Sequence, residues 1–189
     1  MSLRYLNIAE NSKMDDKLFY NTVIEHFNMK GVKFTFDEIA HSMMMSKMTI
    51  YKHYGNKEAV MLGAVEHFFN SCDEASKLIA ESAELDLFEK LKQLILNFPM
   101  KKIELTHLRG LQVQYPVIFC DVDSRMTDNW KIIEKLFLEG FEKGLFKKFD
   151  LEVMRVLVVG AYQEVWTWDA EYRIPMLERT VDFLIDSYR

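Results

Sequence analysis

The sequence predicts an all-α fold, in which an N-terminal three-helix unit containing a helix-turn-helix precedes a larger helical bundle. Helix breakers are sparse, with 7 Gly and 3 Pro in 189 residues, and this favours long uninterrupted helices. Apolar residues make up 49% of the chain and recur at helical spacing. Residue types that cap helices stand before several of these runs.

The first predicted helix spans about Asp16 to Lys30 and is amphipathic. Its apolar residues share one face at helical spacing: Phe19, Tyr20, Val23, Ile24 and Phe27. We expect this face to form the third side of a compact three-helix unit. Such a unit is too small to be comfortably stable alone, so it needs the rest of the chain beneath it.

Two capping signals about one short helix apart follow. Thr35 and Glu38 have the spacing of a capping box, which predicts a helix from Phe36 to about Met43. Ser46 predicts the next helix, near Lys47 to Tyr54, after a tight turn. Short helices joined by so brief a turn must cross steeply, as in a helix-turn-helix. Ile39, Ala40, Ile50 and Tyr54 fall on the apolar sides and are predicted core residues.

Longer helices are predicted in the remainder of the chain. Asn56 caps a helix from Lys57 to about Ser82, and another runs from Asp86 to Phe98. We expect a less regular stretch over Met100 to Phe119, because Gly110 and Pro116 interrupt it.

The last three helices are also marked by caps and breakers. Ser124 or Thr127 could begin a helix that runs to Glu142, with Gly144 just past its end, and Asp150 could cap the next helix. That helix is apolar on almost every side from Val153 to Ala161. The terminal helix, Met176 to Tyr188, has a single apolar stripe: Leu177, Val181, Leu184, Ile185 and Tyr188.

Charge is distributed unevenly along the chain. Residues 1–70 hold eight basic and eight acidic residues, so the net charge of −5 lies entirely in residues 71–189. Between Met44 and Lys57 there are three lysines and no carboxylate. Alone, such a run is most often a solvated helix face, but at a helix-turn-helix it favours a surface that accepts phosphate groups.

Composition also narrows the cellular setting. No apolar run approaches the roughly 18 residues needed to cross a bilayer, and residues 1–13 lack a signal-peptide core. Cys72 and Cys120 do not have the spacing of paired metal ligands, so reduced thiols are expected. We therefore expect a soluble, cytoplasmic protein with no membrane partner and no cofactor.

Residues 16–65 resemble the TetR-type family of bacterial transcriptional regulators. The resemblance is carried by many positions in order and spacing, although Met44 stands where the family usually has a glycine and Met48 where a small residue is common. The matching positions are Phe27, Met29-Lys30-Gly31, Thr35, Ile39-Ala40, Ser46-Lys47, Thr49-Ile50-Tyr51, His53-Tyr54 and Lys57-Glu58-Ala59. A weaker likeness lies in Glu139 to Phe146 and at Asp150.

The resemblance implies a DNA-binding domain over residues 1–63 and a ligand-binding and dimerisation domain over residues 64–189. Lys47, Met48 and Thr49, at the start of the recognition helix, are best placed to meet base edges of a double-stranded DNA operator. The remaining predicted DNA contacts are the cap and phosphate candidates Thr35, Ser46, Tyr51, Lys52, His53 and Lys57. Tyr51 could instead be a half-buried packing residue.

The resemblance also implies an effector and a partner copy. Aromatic residues of the second domain could line a cavity for an apolar or aromatic small molecule, although they are equally typical of a packed core: Tyr115, Phe119, Trp130, Phe137, Tyr162, Trp166 and Trp168. The last two helices could form a four-helix interface with a second copy, so that two recognition helices meet a roughly palindromic operator. Alternatively, Val153 to Ala161 runs through the centre of a monomeric bundle.

Two other functions stay open at this point. Glu38 with His41 and Glu104 with His107 form two Glu-x-x-His pairs, the spacing of a di-iron carboxylate bundle enzyme. The first pair lies in a helix of only about two turns, and chance pairs are common among 29 acidic residues and five histidines. The helix-turn-helix could also be reused as a protein–protein surface, in which case DNA affinity would be weak and nearly independent of salt.

Overall fold

The computed structural model describes residues 15–99, 103–147 and 150–188, and in these ranges the secondary structure is entirely helical. The predicted all-α fold is confirmed. The helices are α1 Asp16–Lys30, α2 Phe36–Ser42, α3 Lys47–Tyr54, α4 Lys57–Glu81, α5 Leu87–Leu96, α6 Leu108–Gln114, α7 Pro116–Glu142, α8 Leu151–Val165 and α9 Ala170–Ser187. Short 3₁₀ turns follow α1, at Gly31–Lys33, and precede α6, at Leu105–His107.

The predicted caps form in the N-terminal unit. Thr35 and Glu38 make both hydrogen bonds of a capping box at the start of α2, and the Ser46 side chain accepts the Thr49 N–H at the start of α3. Asn56 accepts the Ala59 N–H at the start of α4. These bonds satisfy backbone donors that the first turn leaves without intrahelical partners, which explains why the helix boundaries agree with the sequence pattern.

The predicted starts of α7 and α9 are wrong, and a proline lies near the start of each helix in the structure. The prediction that α7 begins at Ser124 or Thr127 is wrong, because the helix already begins at Pro116, in a first turn where a missing N–H removes no helical hydrogen bond. Gly110 lies inside α6. The terminal helix begins at Ala170 rather than Met176 and contains Pro175 near its start. Residues 100–102, within the predicted irregular stretch, lie outside the described residues.

Two hydrophobic cores hold the helices together. The first core joins α1 to α4 with α6 and the start of α7, and its members include Phe19, Ile39, Ile50, Phe69 and Ile118. The second core joins α5, the rest of α7, α8 and α9, and includes Trp130, Phe137, Tyr162, Leu177 and Ile185. The predicted boundary at residues 63 and 64 falls within α4, and the first core extends across it to Cys72 and Val122.

The α9 stripe packs inside the chain rather than on an outer face. Leu177, Val181, Leu184 and Ile185 are buried in the second core, where α9 packs against α5 and α8. These four side chains are therefore not free to meet a second copy, because α5 and α8 pack against α9. A dimer through the last two helices stays a prediction. Among the described residues, no helix has both the length and the hydropathy needed to cross a bilayer. The N-terminal segment 1–13 lies outside the described residues.

Candidate nucleic-acid interface

Helix α3 projects one face into solvent while the opposite face anchors it. Ile50 is fully buried in the first core, and the Tyr54 ring stacks on Phe19 of α1 with ring centroids 3.6 Å apart. The Tyr54 hydroxyl donates to the Asp16 carboxylate at 2.9 Å, and burial raises the pKa of Tyr54. The predicted core roles of Ile50 and Tyr54 are confirmed. These contacts hold α3 against the N-terminal unit and leave its other face exposed.

The start of α3 carries polar and apolar groups that face outward. Met48 is 75% exposed, whereas Thr49 is half-buried. The Ser46 and Thr49 hydroxyls lie 2.8 Å apart and bond to each other, and Ser46 also accepts the Thr49 N–H at 3.0 Å. Both hydroxyls are therefore held at the helix N-terminus, where side chains can reach the base edges of a major groove.

Lys47 lies next to an acid that the sequence pattern did not identify as part of the site. Its ammonium donates to the Asp37 carboxylate of α2 at 2.7 Å, and this hydrogen bond raises the pKa of Lys47. The pair is largely exposed, so solvent weakens it. No local signal could have revealed the pairing, because Asp37 lies on a different helix and is positioned only by the crossing angle.

The second turn of α3 presents an exposed edge. Tyr51 is 48% exposed and its ring meets the edge of Phe36 with centroids 4.9 Å apart, so it both packs and faces solvent. Lys52 and His53 are exposed on the same short helix. Thr35 is exposed as well, at the capping box of α2. The structure thus places most of the predicted DNA-binding residues on α3 and at the start of α2.

Lys57 points inward, unlike the other predicted cations. Its ammonium donates to the backbone carbonyls of Val32 at 2.6 Å and Phe34 at 2.5 Å. It also lies 4.4 Å from the centroid of the Phe34 ring. Burial lowers the pKa of Lys57. Lys57 therefore fastens the loop before α2 to the start of α4, and it can reach a phosphate only by giving up these carbonyls.

The turn between α2 and α3 is strained at one position. Met44 has φ +50, a conformation that costs a side-chain-bearing residue about 1–2 kcal/mol. Its side chain is 95% exposed, so packing does not offset this cost. Met44, where TetR-type regulators usually have a glycine, therefore keeps the tight turn but places it under strain.

The Glu-x-x-His pairs do not form a metal centre in the described part of the chain. No group of three or more His, Cys, Asp or Glu side chains is arranged there so that it could hold a metal ion. The Glu38 carboxylate is held by Lys30 and by the Thr35 N–H, and these bonds lower its pKa to about 2. Glu104 accepts a hydrogen bond from the Thr106 hydroxyl at 3.0 Å.

The predicted effector residues do not gather around one space. Trp130, Phe137 and Tyr162 are buried in the second core with Trp166 packed against them. Tyr115 and Phe119 pack instead against the first core, and Trp168 is partly exposed. A cavity of ≈50 Å³ lies between α1, α4, α6 and α7, and none of these seven residues lines it.

Comparisons with known proteins agree with this architecture. No protein-family model matches the chain. An uncharacterized HTH-type transcriptional regulator, YvaF, from Bacillus subtilis (strain 168) is 24% identical over 183 residues, covering 92% of this chain and 95% of the relative.

Solved structures of regulators share the fold at low sequence identity. A TetR transcription regulator from Haloarcula marismortui has a TM-score of 0.72 at 15% identity, covering 92% of this chain and 98% of the neighbour. The regulator FadR from Bacillus subtilis, solved in complex with stearoyl-CoA, has a TM-score of 0.65 at 17% identity, covering 90% and 98%. The chain therefore has the TetR-type regulator fold that the residues of its helix-turn-helix resemble.

Proposed function

We propose that this chain is a dimeric, ligand-responsive DNA-binding transcriptional regulator, acting as a repressor. The observation that carries the proposal is the exposed face of α3. It is anchored by Ile50 and Tyr54, and it presents Met48, Tyr51 and Lys52 to solvent. A helix of this kind fits the major groove of duplex DNA. The fold shared with known regulators supports the same conclusion.

The side chains of the interface divide into two roles. Lys47, Met48 and Thr49 lie at the helix N-terminus, where contacts to base edges set sequence preference. Ser46 caps this end of the helix and bonds to the Thr49 hydroxyl. Lys52, His53, Tyr51 and Thr35 are proposed to contact the phosphate backbone, which sets overall affinity and its salt dependence. Lys57 contributes to phosphate binding through the loop it fastens or by exchanging its carbonyl partners for a phosphate.

A second copy is proposed to cover the exposed face of α8. Val153, Val156 and Leu157 are all exposed on this helix, so it does not run through the centre of a monomeric bundle. Gly160 shares the face, and a Cβ placed there would meet nothing within 4 Å. An exposed glycine inside a helix costs about 1 kcal/mol relative to alanine, and close approach of another helix would explain its presence.

Helix α9 adds a second exposed apolar face. Phe183 is 73% exposed and Tyr172 is exposed as well, and α9 packs beside α8. A pair of helices from each copy would bury these side chains in a four-helix interface. Two-fold symmetry would then place two α3 helices on two half-sites of a roughly palindromic operator.

DNA selection tests the interface. Full-length protein is mixed with a random-sequence duplex library, and we expect enrichment of a roughly palindromic site. Lys52→Ala should weaken binding to all sequences and reduce the salt slope by about 1, whereas Thr49→Ala should relax preference at one position by about 1–3 kcal/mol. Lys77→Ala, a substitution of an exposed lysine far along α4, is the matched control and should change neither.

Failure to enrich any sequence, with weak binding that is insensitive to salt, would instead favour a protein–protein role for the helix-turn-helix. Equal losses in Lys52→Ala and Lys77→Ala would contradict the assignment of α3 as the DNA-contacting element.

Light scattering tests the dimer. Val156→Glu should convert a dimer into a monomer, because it places a carboxylate in an apolar interface. Val113→Glu is the matched control, since Val113 on α6 is 75% exposed and Val156 is 70% exposed. A monomeric wild type, or dimers in both variants, would contradict the proposed interface.

The effector is proposed to be a small apolar or aromatic molecule. The FadR neighbour is solved with stearoyl-CoA, so a ligand with a hydrocarbon part is compatible with this fold. Binding would shift the population towards one spacing of the two α3 helices. The contribution of the aromatic residues of the second domain to this binding stays a prediction.

A further inference from the structure

An apolar cavity lies where the N-terminal unit meets α6 and α7. Its volume is ≈50 Å³, and every side chain that lines it is hydrophobic. The wall takes residues from α1, the loop after it, α4, α6 and α7, among them Phe27, Phe34, Met61, Ala64, Leu111 and Ile118. No polar side chain lines this space to hold a water molecule, so its surface favours an apolar group.

One wall of the cavity is tied directly to the DNA-facing helices. Phe34 lines the cavity, and its ring lies beneath the Lys57 ammonium, which also bonds to the Phe34 carbonyl. The next residue, Thr35, begins the capping box of α2. Movement of Phe34 would therefore disturb both the Lys57 contacts and the start of α2.

A second part of the wall is connected to the end of α1. The Asn28 side-chain oxygen accepts the Glu104 N–H at 3.0 Å. The His107 ring lies against Gly31, where a Cβ would come within 2.9 Å of its Nδ1. Gly31 also has φ +59, so only glycine fits this contact without strain. Leu108 and Leu111 of the cavity wall follow immediately, so α6 and α1 are mechanically linked beside the cavity.

We propose that this cavity binds the hydrocarbon part of a small apolar molecule, and that occupation changes the position of the helix-turn-helix relative to α6 and α7. The consequence for DNA rests on the proposed function, whereas the binding itself does not. The cavity is smaller than the roughly 150 Å³ apolar cavities that accept benzene or xenon. Binding of a larger ligand therefore requires a wall side chain to move aside, and Met61, with three rotatable side-chain bonds, is the one best suited to do so.

Thermal unfolding of the full chain in buffer with benzene tests the binding. A ligand that binds only the folded state raises Tm, so we expect Tm to rise with benzene concentration. Phenol should bind about 100-fold more weakly, since a purely hydrophobic pocket disfavours an added hydroxyl by roughly that factor. Equal effects of benzene and phenol would overturn the apolar class of ligand.

Substitutions in the cavity wall test whether the benzene-induced rise in Tm comes from binding in this cavity. Ala64→Leu should fill the cavity and abolish the benzene-induced rise in Tm. If the leucine variant does not fold, Ala64→Val should still reduce the rise. Met61→Ala should enlarge the cavity and increase the rise. Ala75→Leu, on the half-buried side of α4 away from the cavity, is the matched control and should respond as the wild type does. A rise that persists unchanged in folded Ala64→Leu, or no rise in wild type and Met61→Ala alike, would overturn the site.

The regulatory part is measured separately on the selected DNA. Benzene should change the DNA affinity of the wild type by about 5-fold or more, a usual size for coupling between two sites, and should leave that of Ala64→Leu unchanged. Benzene binding without any change in DNA affinity would overturn the coupling. Absence of DNA binding altogether would overturn the proposed function, and the Tm measurements would still decide whether the cavity binds.

Discussion

The two cores of this molecule differ in the side chains that build them and in how those side chains pack. The second core packs large aromatic rings against one another: Phe98 meets both Trp130 and Tyr162, and Phe137 meets Phe146. The Tyr162 hydroxyl is also satisfied, because it donates to the Ile95 carbonyl at 2.5 Å. The first core contains phenylalanines and aliphatic side chains, and several of them line the apolar cavity.

This difference shows that a high density of aromatic residues does not by itself indicate a ligand pocket. Rings in one continuous bundle can interlock and exclude space. The first core instead lies at a joint, where α6 and α7 cover a three-helix unit whose shape is set by its own turns and caps. The cavity lies at this joint, between α1 and α4 on one side and α6 and α7 on the other.

Truncation of a phenylalanine in each core provides the largest expected contrast. Phe137→Ala should lower the free energy of unfolding by about 3–5 kcal/mol, because it opens a new cavity in a filled core. Phe27→Ala should cost less than half as much, since Phe27 is half-buried and borders space that already exists. Urea denaturation of both variants measures the difference. Equal losses would show that the two cores are equally well packed.

Glycine 140 tests the tightness of the second core directly. A Cβ on Gly140 would lie 2.2 Å from the Phe146 ring, so Gly140→Ala should cost about 1–3 kcal/mol through overpacking. Gly160→Ala is the matched control, because that helix position is open and alanine there should stabilise the fold by up to about 1 kcal/mol. Both are compared in the Val156→Glu background, which separates folding from dimerisation. Stabilisation by both substitutions would contradict a tightly filled second core.

Local signals in the sequence were sufficient for the N-terminal unit. The caps at Thr35, Ser46 and Asn56 act within one turn of their own helix, so residue type and spacing alone predict where α2, α3 and α4 begin. The exposed face of α3 follows from the same boundaries. The resemblance to TetR-type regulators also lies in this part of the chain, and the fold confirms it.

Features that depend on distant packing could not be predicted in this way. A proline in the sequence can interrupt a helix or begin one. Only the structure shows that Pro116 begins α7, after a non-helical backbone at Tyr115. The Leu177 stripe is apolar whether it meets α5 or a second copy. The sequence pattern predicts that Lys57 is an exposed cation. In the structure its ammonium instead donates to the carbonyls of Val32 and Phe34, in the loop before α2. The cavity has no sequence signature, because residues from separate parts of the chain line it.

The strained turn predicts a smaller effect, confined to the helix-turn-helix. Met44→Gly should stabilise the fold by less than about 1 kcal/mol, because relief of the positive φ is partly offset by the greater freedom of glycine in the unfolded chain. Met48→Gly is the matched control, since Met48 is also exposed but lies within α3, where glycine costs about 1 kcal/mol relative to a good helix former. Thermal unfolding of the two variants should therefore shift Tm in opposite directions. Destabilisation by both would show that Met44 makes contacts that outweigh its strain.

The smallest expected effect is a pH dependence at the capping box. The hydrogen bond from Lys30, followed by that from the Thr35 N–H, lowers the pKa of Glu38 in the folded chain to about 2. A carboxylate whose folded pKa lies below its unfolded value contributes stability above the unfolded value, about 4.3, and that contribution is lost as pH falls towards 2. The stability difference between wild type and Glu38→Gln should therefore be constant near neutrality and shrink between about pH 4.5 and 2.

Lys30→Met removes the largest cause of the lowered pKa. In that background the stability difference caused by Glu38→Gln should depend less on pH, beginning to shrink at the same pH but ending at a higher one. A difference that stays constant down to pH 2.5, measured by urea denaturation, would show that the Glu38 carboxylate gains nothing from these partners on folding.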